Sequence, residues 1–210
     1  GQHLDSQIRL RFSSTYEWRK LYDQGKLNEA QSLFWKTPKS PEELYDLETD
    51  PDEVNNLASS PDHQNILKKL RQAQQSYARK IRDVGFIPEG QRFHKGMAPY
   101  DFGHDAAKYD FDCIFSTADL ASNLKPDAVS ELRKRMKDSD ETVRYWAAMG
   151  MVMRGEAAVQ QSQSDLVKLL SDPSPDVQIA AGWALTKYGS PEISRQALEV
   201  LAKWAPRDSN

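Results

Sequence analysis

The sequence predicts a mainly helical protein: a small α+β portion followed by a stack of α-helical repeats. Three observations predict it. The C-terminal half repeats itself at a fixed spacing. The stretch 60–85 carries apolar residues at steps of three and four. The composition, 39% hydrophobic and 28% charged, suits thin helical layers in which much of each helix faces water.

The repeat is read by superposition. Leu132 falls over Leu166, Asp138 over Asp172, Val143 over Val177, Ala147 over Ala181 and Gly155 over Gly189, each pair 34 residues apart. Each unit then reads as a helix, a turn, an N-cap, a Val, an Ala-rich helix and a closing Gly. Asp140 and Ser174 stand where a side-chain oxygen would satisfy orphan N–H groups at a helix start. Pro175 follows as a tolerated first helical residue. The small residues Ala147, Ala148, Ala180, Ala181 and Ala184 let the second helix of each pair pack closely. Ser194–Trp204 looks like the first helix of a third unit. So short a stack cannot bury a core alone, so Phe111–Asn123 is expected to cap it.

Ahead of the repeats, Thr15–Gln24 reads as a helix stopped by Gly25, and Leu27–Trp35 as a second short helix. Tyr16, Trp18, Tyr22, Phe34 and Trp35 crowd this stretch. Leu4–Ser13 alternates Arg9 and Arg11 with Ile8, Leu10 and Phe12, the pattern of an edge strand. Glu43–Leu47 reads as a short strand, Asp50-Pro51-Asp52 as a turn and Val54–Leu57 as a helical turn. The acidic residues here lack the Gly that a calcium loop places at its sharp bend, which favours turn and cap chemistry over a metal site.

A long amphipathic helix is expected next, with Ser60 as N-cap, Pro61 as its first residue and Gly85 as its stop. Ile66, Leu70, Ala73, Tyr77, Ile81 and Val84 form one stripe. Lys68, Lys69, Arg71, Arg79, Lys80 and Arg82 form a cationic face, which reads as a solvated surface or as a contact for an anionic polymer. The stretch 88–110, with Pro88, Gly90, Gly96, Pro99 and Gly103, reads as a linker between residues 1–87 and the repeats at 111–210. Its His94 and His104 show no metal-ligand spacing.

The formal net charge of −3 supplies no electrostatic footprint for nucleic acid. No run approaches membrane-spanning length. The single cysteine, Cys113, excludes an internal disulfide and every C-x-x-C site, and its neighbours Phe111, Ile114 and Phe115 mark it as a small buried hydrophobe. No catalytic residue and no metal ligand is assigned.

The repeat pattern, Asp followed by Val, Arg or Gln, Ala-Ala and Gly, resembles the short HEAT-like repeats of bacterial proteins over about residues 127–191. A second resemblance rests on Leu21–Trp35 and on the string Glu43-Leu44-Tyr45-Asp46-Leu47-Glu48-Thr49-Asp50-Pro51-Asp52-Glu53-Val54-Asn55-Asn56-Leu57. These are similar to the C-terminal subdomain of bacterial sulfatases of the alkaline-phosphatase-like superfamily.

This second resemblance implies that the chain is the rear part of a sulfuric ester hydrolase. The catalytic motif of such enzymes, Cys/Ser-x-Pro/Ala-x-Arg, has no match here, because Cys113 is followed by Ile114, Phe115, Ser116 and Thr117. The resemblance therefore implies a separate N-terminal catalytic sulfatase domain as partner, carrying the formylglycine and the calcium, with a sulfated carbohydrate as substrate and export to the periplasm or outside. No cofactor belongs to this chain, and the chain alone is expected to be inactive. His3 is the one substrate-proximal candidate. The alternative is a non-enzymatic helical-repeat module that binds a protein partner.

Overall fold

The computed structural model describes residues 12–36, 38–94 and 98–205, with backbone only at 92–94. The chain divides into two compact units, Gly1–Gln72 and Ala73–Asn210. The described residues are mainly helical and contain no strand.

In the first unit, α1 spans Ser13–Asp23 and α2 spans Glu29–Ser32, followed by a 3-10 turn at Leu33–Trp35. Gly25 stops α1 as expected. At φ +64° it lets the Gly25 and Lys26 N–H groups turn back to the Tyr22 and Leu21 carbonyls. Asn28 and Gln31 form a reciprocal capping box at the start of α2. The aromatic residues pack on one another rather than along a long helix. Trp18 stacks on Phe34 with ring centroids 5.0 Å apart, and Trp35 meets both edge-on. The Trp18 indole donates to the Gln31 carbonyl, and the Lys39 ammonium donates to the Leu33 and Phe34 carbonyls.

The strand expected at Glu43–Leu47 does not form, so the α+β character expected of this portion gives way to an irregular loop among the described residues. The cause is a side chain that stands in for a neighbouring strand. Asn56 Oδ1 accepts from the Leu44 and Ala58 N–H groups, and Asn56 Nδ2 donates to the Glu42 carbonyl. A single backbone bond, from Leu57 N–H to Leu44 O, links the two sides. The helical turn expected at Val54–Leu57 is also absent. Glu53 takes φ +54°, and the Asp50 carboxylate collects the Val54 and Asn55 N–H groups. Of the edge strand expected at Leu4–Ser13, residues 4–11 lie outside the described residues, and Ser13 is the first residue of α1.

Helix α3 spans Gln64–Ile81 after a 3-10 turn at Pro61–His63. Ser60 precedes that turn without capping it, its hydroxyl being bonded to His63 Nδ1 at 2.8 Å. The structure buries Leu67 and Ala78, on the flank of the expected stripe, whereas Ile66, Leu70, Ala73, Tyr77 and Ile81 are exposed. The helix ends at Ile81, ahead of the expected Gly85. Arg82 adopts φ +48°, and its guanidinium holds the chain there by donating to the Gly103 and Tyr109 carbonyls.

In the second unit, the stretch expected to be a linker is packed structure. It contains α4 (Glu89–His94) and α5 (Pro99–His104). Phe102 and Tyr109 are buried with Ala78, Ile87, Phe111, Ile114, Phe115 and Val143 in one cluster. The Tyr109 hydroxyl donates to the Asp83 carbonyl at 2.5 Å. Gly- and Pro-rich composition mimics a linker, but it also lets short helices meet closely. A Cβ on Gly103 would fall 2.9 Å from the Arg82 carbonyl oxygen.

The remaining helices are α6 (Phe111–Ser122), α7 (Val129–Arg135), α8 (Glu141–Arg154), α9 (Glu156–Gln161), α10 (Gln163–Leu169), α11 (Pro175–Tyr188) and α12 (Pro191–Trp204). Helix α8 packs on α6, α7 and α11, and α11 packs on α10 and α12. The superposed residues Leu132, Leu166, Val143, Val177, Ala147 and Ala181 are all fully buried, so the sequence repeat is a structural one. Asp140 caps α8 as expected, accepting from the Thr142 and Val143 N–H groups. Ser174 holds the equivalent place before α11 but makes no side-chain cap, and its N–H donates to Asp172 Oδ1 instead.

The α6 segment does cap the stack. Arg154, at the end of α8, donates to the Leu120 and Ala121 carbonyls at the end of α6, at 2.8 Å each. Arg135 reaches the Ser116 and Thr117 hydroxyls of the same helix. Among the described residues, no helix is long and apolar enough to cross a membrane.

Candidate interaction surface

The residues singled out from the sequence do not converge. His3 lies outside the described residues, as does the His94 side chain. His104 stacks on Tyr100 with ring centroids 4.1 Å apart, and its Nδ1 meets the Tyr100 carbonyl oxygen. Cys113 is half-buried against the aromatic cluster. Burial, followed by the nearby Asp138 and Asp110 carboxylates, pushes its thiol up, away from the thiolate that reactive cysteines need. The carboxylates of Asp46 and Asp50 are spent on neighbouring backbone and Thr49 groups. Among the described residues, no group of three or more His, Cys, Asp or Glu side chains could hold a metal. On the cationic helix, Arg71 clamps Glu42 through two bonds and Arg79 pairs with Asp112, so part of that face is already neutralised within the chain.

What the second unit offers is a surface built by the repeat. Two ion pairs tie successive units together. The Arg144 guanidinium holds both oxygens of Asp172 at 2.7 and 2.9 Å, and Arg133 holds Asp165 at 2.8 Å. Arg144 also donates to the Asp138 and Ser139 carbonyls. Gln178, its counterpart one repeat later, donates to the Asp172 carbonyl and accepts from the Trp204 indole. The Asp172 hydrogen bond, its charge and those of Glu141 and Asp140 raise the Arg144 pKa against the opposing effect of burial. A cavity of about 380 Å³ lies at these turns, lined by Ser139, Asp140, Glu141, Arg144, Pro173, Ser174 and Pro175. Its only cation, Arg144, is already engaged by Asp172.

With Val177, Ala180, Ala181, Ala184 and Leu185 turned into the core, α11 presents Ile179 and Trp183 outward, 39% and 43% exposed. One repeat earlier, Tyr145 and Met149 occupy the equivalent positions on α8 and are partly buried. Burial, and then Asp176, raise the Tyr145 phenol pKa. Residues three or four apart share a helix face, so Thr142, Tyr145 and Met149 run along one face of α8, and Asp176, Ile179 and Trp183 along the matching face of α11. The superposition of buried positions passes over these outward pairs, although the same spacing relates them.

Residues 129–210 match the HEAT repeats family. No curated protein and no solved structure matches the chain. The match covers the C-terminal part of the helical stack described above, from α7 onward.

Proposed function

We propose that the chain works by binding another protein, with the HEAT-repeat stack as the interaction module. One observation carries the reading. A stack matched by HEAT repeats leaves a Trp and an Ile, side chains of high contact area, outward on an otherwise Ala-rich helix. Helical-repeat stacks bind partners through such extended surfaces, and exposed aromatic residues are the usual anchors of protein interfaces. Size-exclusion chromatography of the full chain with its co-purified partner tests the reading. A stoichiometric complex is expected, and elution of the chain alone under all partner conditions counts against it.

A second reading is favoured by the loop at residues 42–58. Asn56 and Asp50 organise the loop there, and both belong to the string that resembles the sulfatase C-terminal subdomain. On this reading the chain is the non-catalytic rear of a sulfuric ester hydrolase. Formylglycine and calcium would belong to an N-terminal catalytic domain, the substrate would be a sulfated carbohydrate, and the protein would be exported. Sequencing the reading frame ahead of the Gly1 codon decides it. Cys/Ser-x-Pro/Ala-x-Arg upstream is the supporting result, and a start codon immediately before Gly1 overturns it.

A further inference from the structure

The two N-cap positions that the repeat sets 34 residues apart are used differently. Asp140 spends one carboxylate oxygen, Oδ1, on the Thr142 and Val143 N–H groups at the start of α8. Its Oδ2 makes no hydrogen bond or ion pair among the described residues. Ser174 makes no cap. Its N–H donates to Asp172 Oδ1 and its carbonyl accepts from the Gln178 N–H, while its hydroxyl is buried without a hydrogen-bond partner among the described residues. Buried hydroxyls are nearly always bonded, because desolvating one without a partner is costly.

Both residues line the cavity of about 380 Å³ at these turns. The main-chain groups of Ser174 are already spent, so the hydroxyl is what it brings to that lining, and at 4% exposure the residue forms the floor. Pro173 and Pro175 supply apolar wall. The cavity therefore holds two unused acceptors, one of them charged, and its cation, Arg144, is taken up by both oxygens of Asp172. Helix N-termini ordinarily draw anions. Here the α8 end is already served by Asp140, the first turn of α11 carries Asp176, and an anion would meet the Asp140 carboxylate in the cavity. Charge thus selects a cation. One carboxylate and one hydroxyl are too few ligands for calcium or magnesium, and the proline wall suits an organic cation with several N–H donors.

We propose that this cavity receives an arginine side chain of the partner protein. The planar fork of the guanidinium donates to Asp140 Oδ2 and Ser174 Oγ together, and its face lies on Pro173 and Pro175. Arginine is among the residues that anchor protein interfaces. The proposal rests on the interaction-module reading and adds to it a second place on the stack and the chemistry of one anchor.

The test is titration of the isotope-labelled full chain with arginine blocked at both ends, read by two-dimensional amide NMR. Saturable shifts are expected at Ser139, Asp140, Ser174 and Asp176, larger than those from blocked lysine and absent with blocked glutamate. Asp140→Asn keeps a good N-cap but removes the charge, and is expected to weaken binding about tenfold. Ser174→Ala is expected to weaken it about threefold or more and to leave the melting temperature of the free protein unchanged, because the hydroxyl has no bond there to lose. A lowered melting temperature with binding untouched would make the hydroxyl a cap of α11 and overturn the site. Free L-arginine carries a carboxylate that Asp140 repels, so it is expected to bind more weakly than the blocked form. Tighter binding of free L-arginine would assign the cavity to the amino acid itself and overturn the partner side chain. Blocked arginine that shifts no resonance at these turns, or that binds the parent and Asp140→Asn alike, overturns the cavity as an anchor. The chromatography of the full chain with its partner judges the interaction-module reading separately.

Discussion

Arg144 and Asp172 form a two-bonded ion pair across the boundary between repeats, with side chains only 12% and 5% exposed. The pair lies where each unit could separate from the next, and its Asp oxygen also accepts the Ser174 N–H ahead of α11. Arg144→Ala leaves the Asp172 carboxylate buried without its counter-charge. The expected loss of stability is about 3 kcal/mol, measured by urea unfolding. Arg144→Ala combined with Asp172→Ala is expected to cost less than the sum of the single changes, the signature of a coupled pair.

Asp165 gives the stack a measurable acid sensitivity. Burial works to raise its carboxyl pKa, but the hydrogen bond and charge of Arg133, with Lys137 and Lys168, overcome it and hold the value below the ordinary 3.8. A folded-state pKa below the unfolded one means that the stabilisation is present above the unfolded value and is lost as pH falls through the folded one. Melting temperatures followed downward from pH 5 are expected to fall more steeply for the parent than for Asp165→Asn. Parallel curves would exclude the pair as a source of acid sensitivity.

Gly150 marks the closest approach of α8 to α6 and α7. An added Cβ would fall 2.8 Å from Leu132 Cδ1 and 3.2 Å from the Ala121 Cα. The second neighbour is backbone and cannot rotate away. Gly150→Ala therefore forces the helices apart, against its helix-favouring effect, and is expected to destabilise by about 1–3 kcal/mol. Chemical denaturation reads the change, and a stabilised variant would disprove the tight contact.

Cys113 is expected to be a slow thiol. Burial and the acidic neighbours Asp138 and Asp110 raise its pKa above 9.0. Alkylation by iodoacetamide at pH 8 should be slower than for an unstructured peptide cysteine, with the rate still climbing above pH 9. A rate already on its plateau at neutral pH would refute the assignment.

The repeat was legible because it is a periodic property. Leu132 and Leu166, or Ala147 and Ala181, announce buried positions by recurring at one spacing, and local capping chemistry such as Asp140 and Gly25 needs only neighbours in sequence. The linker reading of 88–110 failed because its composition is that of a turn-rich stretch, while Phe102 and Tyr109 find burial through residues distant in the chain. The strand at Glu43–Leu47 failed for a related reason: one side chain, Asn56, supplied the hydrogen bonds that a partner strand would have made.

By itself the sequence determined the helical class, the repeat unit, the capping of α8 and the absence of the sulfatase nucleophile motif from these residues. Tertiary structure decided the rest. It placed Arg144 on Asp172, Arg154 on the end of α6, and Phe86–Gln91 across the N-terminal ends of α8 and α11. Periodicity specifies which side of a helix is apolar, but the choice of what that side meets depends on contacts between residues far apart in the chain. The stripe on α3 shows the difference, since its periodicity pointed Ile66, Leu70 and Tyr77 inward while packing left them exposed and buried Leu67 and Ala78 instead.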